Sequence, residues 1–252
     1  MNSHPEWPVA FFDDDYLRIY RPTFTAEGTS TEVDFIESSL APLPGGAVLD
    51  LGCGYGRHAT ALAQRGYAVT GLDFNAHYLE IATQEAAAAN VSVSWRTGDM
   101  RALGFEREFD GVYSFFTSFG YYGDEENEQV LAGIARALKP GGRFLIDMVN
   151  REGILIRPDL RTWSQREDGA LFMEEVSLDL QASRVVSRQQ LIDPRGGPRV
   201  TKEYSLRVYT CAELTALLRR HGLRVLEVWG GSGREAYVAG SRRLVLLSER
   251  SA

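Results

Sequence analysis

Apolar and polar positions fall into two rhythms along this chain. From residue 47 to about residue 150, short apolar runs alternate with amphipathic stretches of helical period. Ala47-Val48-Leu49-Asp50-Leu51 predicts a buried strand, residues 57–65 a helix that Gly66 ends, and residues 67–72 a second strand. Residues 76–89 predict a helix, Val91-Ser92-Val93-Ser94-Trp95 alternates as a third strand, and residues 109–116 predict a fourth. A helix follows over 125–138, Lys139-Pro140-Gly141-Gly142 stops it, and residues 143–149 predict a fifth strand. This alternation predicts an α/β domain with a mostly parallel sheet. Residues 160–208 break the pattern. Runs at 172–180, 184–192 and 201–208, with a turn at 193–198, predict an antiparallel insertion. A helix over 213–221, N-capped by Thr210 and stopped by Gly222, restores the rhythm, and strands over 223–229 and 237–247 close it. Ahead of the alternation, residues 5–41 predict two helical pieces. Asp13-Asp14-Asp15 offers a cap before Tyr16, Leu17, Ile19 and Tyr20, and Val33, Phe35, Ile36 and Leu40 mark the second piece. The chain therefore divides into a helical N-terminal lid, 1–46, and a main domain, 47–252, that includes the insertion at 160–208.

The most informative segment joins the first strand to the helix after it, Asp50-Leu51-Gly52-Cys53-Gly54-Tyr55-Gly56-Arg57-His58. Gly52 permits a tight turn and Gly54 lets a ligand lie against the backbone, with helix N–H groups facing it. A dinucleotide loop reads G-x-G-x-x-G; here the spacing is G-x-G-x-G, and Asp50 beside it disfavours a diphosphate and favours a cationic group such as an ammonium. The Gly-Lys-Ser/Thr of a P-loop is absent. Asp73, at the end of the second strand, follows Gly52 by about 20 residues, the spacing of an acid that accepts both ribose hydroxyls. Gly98-Asp99-Met100 ends the third strand, where Asp99 suits an exocyclic amine and Met100 with Phe74 suits the two faces of an adenine.

On these residues the chain resembles the class I S-adenosylmethionine-dependent methyltransferases. Asp50-Leu51-Gly52-Cys53-Gly54-Tyr55-Gly56 matches the family's first motif, Asp73 its ribose-binding acid and Gly98-Asp99-Met100 its adenine-contacting segment. Phe109-Asp110-Gly111-Val112 with Ser114-Phe115 matches its fourth strand, and residues 138–144 match the entry to its fifth. The resemblance implies a Rossmann-like seven-stranded mixed sheet whose last strand is antiparallel, with helices on both faces. It implies S-adenosyl-L-methionine as cofactor and S-adenosyl-L-homocysteine as product. It assigns to the cofactor Asp50, Gly52, Cys53, Gly54, Asp73, Phe74, Asp99, Met100 and Phe115. The aromatic N-terminal segment, the run Phe115-Phe116-Thr117-Ser118-Phe119-Gly120-Tyr121 and the late insertion are similar to N-methyltransferases of amino sugars and small amines, as is the tail Gly230-Gly231-Ser232-Gly233-Arg234. Some of those enzymes carry His where this chain has Tyr121.

The expected reaction is an in-line methyl transfer to a nitrogen, less readily an oxygen, of a small-molecule acceptor. An unprotonated amine needs alignment and a dry pocket, whereas an oxygen needs a general base. Tyr20 and Tyr121 are the candidate catalytic residues, their hydroxyls orienting the nucleophile or accepting a proton, with Tyr122 beside them. Phe11, Phe12, Tyr16 and Tyr20 are expected to form a water-excluding lid. The insertion would line a substrate cleft or make a homodimer contact. Rival readings are a non-catalytic cofactor-binding module, a nicotinamide oxidoreductase, and a methyltransferase acting on a peptide or protein terminus.

Composition narrows the partners. Lys plus Arg number 27 against 34 Asp plus Glu, a net charge of −7, which argues against nucleic acid. The Asn/Asp-Pro-Pro-aromatic signature of nucleic-acid N-methyltransferases is missing, with Ser114-Phe115-Phe116-Thr117 in its place. No apolar run has the length of a membrane span, and residues 1–7 lack a signal-peptide pattern. The only cysteines, Cys53 and Cys211, read as reduced thiols of a cytoplasmic protein. The four histidines, His4, His58, His77 and His221, have no metal-ligand spacing, so no metal site is expected, although His58 stands where it can touch a ligand. Asp147 in the fifth strand has no partner visible in the sequence.

Overall fold

The computed structural model describes residues 10–157, 160–193 and 200–251. The chain opens with α1 (Asp14–Tyr20), a 3-10 turn (Arg21–Thr23) and α2 (Ala26–Leu40). The alternating part follows as β1 (Ala47–Leu51), α3 (Arg57–Gln64), β2 (Ala68–Asp73), α4 (Ala76–Ala88), β3 (Ser94–Thr97), β4 (Phe109–Ser114), α5 (Asp124–Ala137) and β5 (Leu138–Val149). A short α6 (Arg151–Leu155) leads into the insertion, β6 (Arg161–Gln165), β7 (Leu171–Asp179), β8 (Arg184–Ile192) and β9 (Val200–Arg207). The chain closes with α7 (Cys211–Arg220), β10 (Leu223–Trp229) and β11 (Arg243–Arg250).

The main sheet has the order β10-β11-β5-β4-β1-β2-β3. Neighbours from β5 through β3 are parallel, and β11 runs antiparallel to both β5 and β10. This is the seven-stranded mixed sheet with an antiparallel last strand that the resemblance implied. The period-2 pattern of its central strands is apolar on both faces. Leu49, Val112, Ile146 and Leu246 pack one face under α5 and α7. Val48, Tyr113, Leu145 and Val245 pack the other, under α2 and α3. Both faces of a crossover sheet must be covered, which is why these strands read as continuous apolar runs.

The helix signals hold locally. Asp13 caps α1 by accepting from Tyr16 N at 3.1 Å, and Thr210 with Glu213 forms a capping box at α7. Several expectations need correction. The third strand is Ser94–Thr97 rather than 91–95, because its pairing with β2 begins only at Ser94 opposite Thr70, where the Trp95 ring sits over Gly71. The last strand is Arg243–Arg250, six residues later than its expected start, since residues 230–242 form a loop against Asn150 and Trp229. The fifth strand begins at Leu138 and includes the Lys139–Gly142 stretch. The insertion is a separate antiparallel sheet, β6-β7-β8-β9, with one strand more than its three apolar runs suggested. The expected turn at 193–198 lies, beyond Asp193, outside the described residues. No helix among the described residues is long and apolar enough to cross a membrane.

Candidate active site

After β3 the chain returns past β1 to form β4, so the strand order reverses between β1 and β4. Ligands of open α/β sheets bind beyond the strand ends at such a point. Here a cavity opens over the ends of β1, β2 and β4. Its floor is the glycine loop. Gly52, Gly54 and Gly56 take φ of +77°, +56° and +79°, and the N–H groups of Gly52 and Cys53 both donate to Leu72 O, at 2.9 and 3.1 Å. The space beside Gly54 is open, so a ligand can reach its backbone. Gly56 serves packing instead: a Cβ there would collide with the Trp95 ring.

Four acidic or basic groups surround this loop. Asp73, at the end of β2, accepts from Gly54 N at 2.8 Å and Asn75 N at 2.9 Å, and burial pushes its carboxyl above the usual range. Asp50 is 3% exposed and lines the cavity, and its Oδ2 has no hydrogen-bond partner among the described residues. Burial raises its pKa to about 7, although the Tyr113 hydroxyl and the Arg57 guanidinium pull it down. Arg57, at the start of α3, lies 4.4 Å from the Phe24 ring and bonds Thr29 and Glu32 through Nη1, while its buried Nη2 has no partner among the described residues. His58 bonds Glu32 through Nε2 at 2.9 Å. Burial holds the His58 imidazole below its usual pKa despite that carboxylate. Burial would raise Glu32, but the hydrogen bonds from His58 and Arg57 override it and hold its pKa at about 2.

The other end of the cavity is aromatic. Phe12 meets Phe74 at 5.8 Å and Tyr121 at 5.3 Å, edge to face, and Phe24 meets Phe116 at 4.9 Å. The segment carrying Phe11, Phe12 and Asp13 is held from two sides. Asn75 Nδ2 donates to Phe12 O at 2.6 Å and Tyr78 Oη to Asp13 O at 2.8 Å. From β9, Lys202 Nζ donates to Phe11 O at 3.2 Å and pairs with the Asp13 carboxylate. Burial pushes the Tyr16 and Tyr121 phenols well above their usual pKa, so both keep their protons at neutral pH.

The structure brings together Asp50, Gly52, Cys53, Gly54, Asp73, Phe74, Met100, Phe115 and Tyr121 around one cavity. It does not bring Asp99 or Tyr20 to that lining. The Asp99 carboxylate is turned onto Arg101, whose Nε bonds both its oxygens at 3.0 and 2.9 Å. The Tyr20 hydroxyl accepts from Gln189 Nε2 of β8, and its ring stacks behind Tyr16 at 4.5 Å. Sequence reasoning also missed Phe24, Thr117 and Arg57 with its partner Glu32; only the position of Arg57 beside the glycine loop hinted at a role. Asp147, without a visible partner in sequence, pairs with Arg243 of β11 through Nε at 2.7 Å. Among the described residues, no three His, Cys, Asp or Glu side chains gather as a metal ion would need.

The methyltransferase-domain family matches residues 48–142, which hold the whole glycine loop and the ends of β2, β3 and β4. Cypemycin N-terminal methyltransferase from a Streptomyces species is 31% identical over 228 residues, 84% of this chain and 86% of that protein. The chain belongs to the S-adenosylmethionine-dependent methyltransferases. Among solved structures, the CcbJ methyltransferase of Streptomyces caelestis superposes with a TM-score of 0.82 at 25% identity, over 96% of this chain and 98% of that one. CalS10, an amino pentose methyltransferase from Micromonospora echinaspora solved with S-adenosylmethionine bound, shares the fold with a TM-score of 0.70 at 22% identity, over 94% of this chain and 97% of that one.

As a methyltransferase the chain takes S-adenosylmethionine, and the cavity fits that group. An unpartnered acidic oxygen on Asp50 and an unpartnered guanidinium nitrogen on Arg57 stand at the glycine loop. Together they match the ammonium and carboxylate of an amino-acid head group, each of which is costly to bury unpaired.

Proposed function

We propose that this methyltransferase transfers its methyl group to the nitrogen of a small amine held at the aromatic end of the cavity. The observation that carries this reading is the chemistry of that end. Its polar groups at Tyr16 and Tyr121 are phenols kept protonated by burial. These phenols donate hydrogen bonds, and while protonated neither of them takes a proton from a hydroxyl at neutral pH. An unprotonated amine brings its own lone pair and needs only placement.

In this reading Asp50 accepts the cofactor's ammonium, Arg57 its carboxylate, and Asp73 its ribose hydroxyls, with Phe74 and Met100 beside the adenine. S-adenosylmethionine supplies a methyl carbon made electrophilic by its sulfonium. Tyr121 and Tyr16 orient the amine in line with the bond to be broken, and Phe12, Phe24 and Phe116 keep water out. The nitrogen–carbon bond forms as the sulfur–carbon bond breaks, its electron pair staying on sulfur. The product ammonium then loses a proton to solvent. The N-terminal segment acts as a lid over this chamber, and the insertion backs the lid through Lys202 and Gln189.

The 31% identity to a cypemycin N-terminal methyltransferase favours a second reading, in which the amine is the free α-amino group of a peptide. One experiment separates these. Protein and methyl-labelled cofactor are incubated with amino sugars, small secondary amines, alcohols, phenols and a peptide with a free N-terminus. Label in the small amines alone supports the proposal. Label in the peptide moves the acceptor to the second reading, and label confined to alcohols or phenols overturns both.

A further inference from the structure

Beyond β4 the backbone does something costly. Phe116 and Thr117 take φ of +59° and +61°, two successive non-glycine residues in the left-handed region. A β-branched threonine is rarely found there, so the surroundings must hold it. Both residues line the cavity, and Phe116 meets Phe24 of the N-terminal segment. The turn therefore sets one wall of the chamber.

Two residues outside the lining hold the turn. Asp147 of β5 is buried and accepts from Phe116 N through Oδ2 at 2.9 Å and from Thr117 N through its backbone oxygen at 3.0 Å. Arg243, the first residue of β11, grips the same carboxylate with Nε at 2.7 Å and Nη2 at 2.6 Å, and Nη2 also donates to Thr117 Oγ1 at 2.7 Å. The guanidinium thus fixes the Thr117 side chain and the carboxylate that fixes its backbone. The planar fork of arginine does both at once, which a lysine ammonium does not.

We propose that Arg243 and Asp147 are positioning residues for methyl transfer: they lock the left-handed Phe116–Thr117 turn and so place the acceptor-side wall, without serving cofactor binding. The inference rests on membership in the methyltransferases, not on nitrogen being the acceptor atom. Arg243→Gln, Arg243→Lys, Thr117→Gly and the double variant Arg243→Gln/Thr117→Gly test it, because glycine adopts positive φ without the Cβ penalty.

Three readouts apply: S-adenosylhomocysteine affinity by calorimetry, amide exchange of residues 114–121 in the S-adenosylhomocysteine complex, and kcat and KM with whichever acceptor, amine or hydroxyl, the wild type methylates. Arg243→Gln is expected to speed exchange at Phe116 and Thr117 by about tenfold or more, to leave cofactor-product affinity within about threefold, and to lower kcat/KM for the acceptor on the order of 10- to 100-fold. Arg243→Lys is expected to fall between it and the wild type. The double variant is expected to recover most of the lost kcat/KM. Unchanged exchange in Arg243→Gln, a loss of cofactor-product affinity matching the loss of activity, or a double variant no better than Arg243→Gln would each overturn the proposal. Exchange decides the matter even if no amine is methylated, an outcome that would count against the nitrogen reading alone.

Discussion

Asp50 keeps a carboxyl group where water does not reach, and its raised pKa has two consequences. The folded value of about 7 lies above the ordinary 3.8, so the folded chain takes up a proton that the unfolded chain does not. The stabilisation from that proton is full below the ordinary value and is lost as pH rises through about 7. Asp50→Asn, which stays neutral, should therefore gain stability relative to the wild type as pH is raised from 6 to 8, read by chemical denaturation without ligand. Cofactor binding runs the other way. An ammonium ligand calls for the ionised carboxylate, so S-adenosylhomocysteine affinity should weaken by up to ~tenfold for each pH unit below the pKa of the free protein. Asp50→Asn should bind more weakly and lose that pH dependence, as calorimetry at several pH values would show. Gly56 makes a purely structural prediction. Alanine there meets the Trp95 ring at a φ of +79° and should cost roughly 2–3 kcal/mol in a thermal or urea melt.

The elements that roof the cavity are tied together by polar contacts across long sequence separations. Lys202 of β9 pairs with Asp13 and bonds Phe11 O, although its side chain is only 8% exposed. Lys202→Met keeps the length of the stem and removes these bonds. It should raise amide exchange over residues 10–20 and raise KM for the acceptor several-fold, while the exchange of β1, β4 and β5 stays unchanged. Contacts of this kind are what the sequence does not display. The glycine loop and the acids Asp50 and Asp73 were legible because local chemistry fixes them: each sits within a few residues of a strand end. Arg243 and Asp147 lie 96 residues apart and meet only because β11 pairs with β5. β6 was illegible for another reason, since all five residues of Arg-Thr-Trp-Ser-Gln are exposed and leave no period-2 signal. Asp99 was legible as a strand-end acid, yet no local pattern showed that Arg101, two residues on, would engage its carboxylate.

At the scale of the molecule, the loops at the strand ends of the main sheet form the cavity floor, and Phe12, Tyr16 and Phe24 of the N-terminal segment line it from above, with the insertion packed behind that segment. Because the folded state alone presents this floor, S-adenosylhomocysteine at 100 times its dissociation constant should stabilise the protein by about 2.7 kcal/mol, a rise in Tm on the order of 5–10 °C. Asp73→Ala should lose most of that rise. The aromatic end of the chamber presents protonated phenols to the acceptor, which suits an amine that brings its own lone pair. The measurement that tests this most directly uses an acceptor carrying an amine and a hydroxyl on adjacent carbons, with the methylated atom located by tandem mass spectrometry. Methyl transfer to nitrogen is expected, at a rate that rises with pH as the amine loses its proton. Methyl on oxygen would contradict the nitrogen reading.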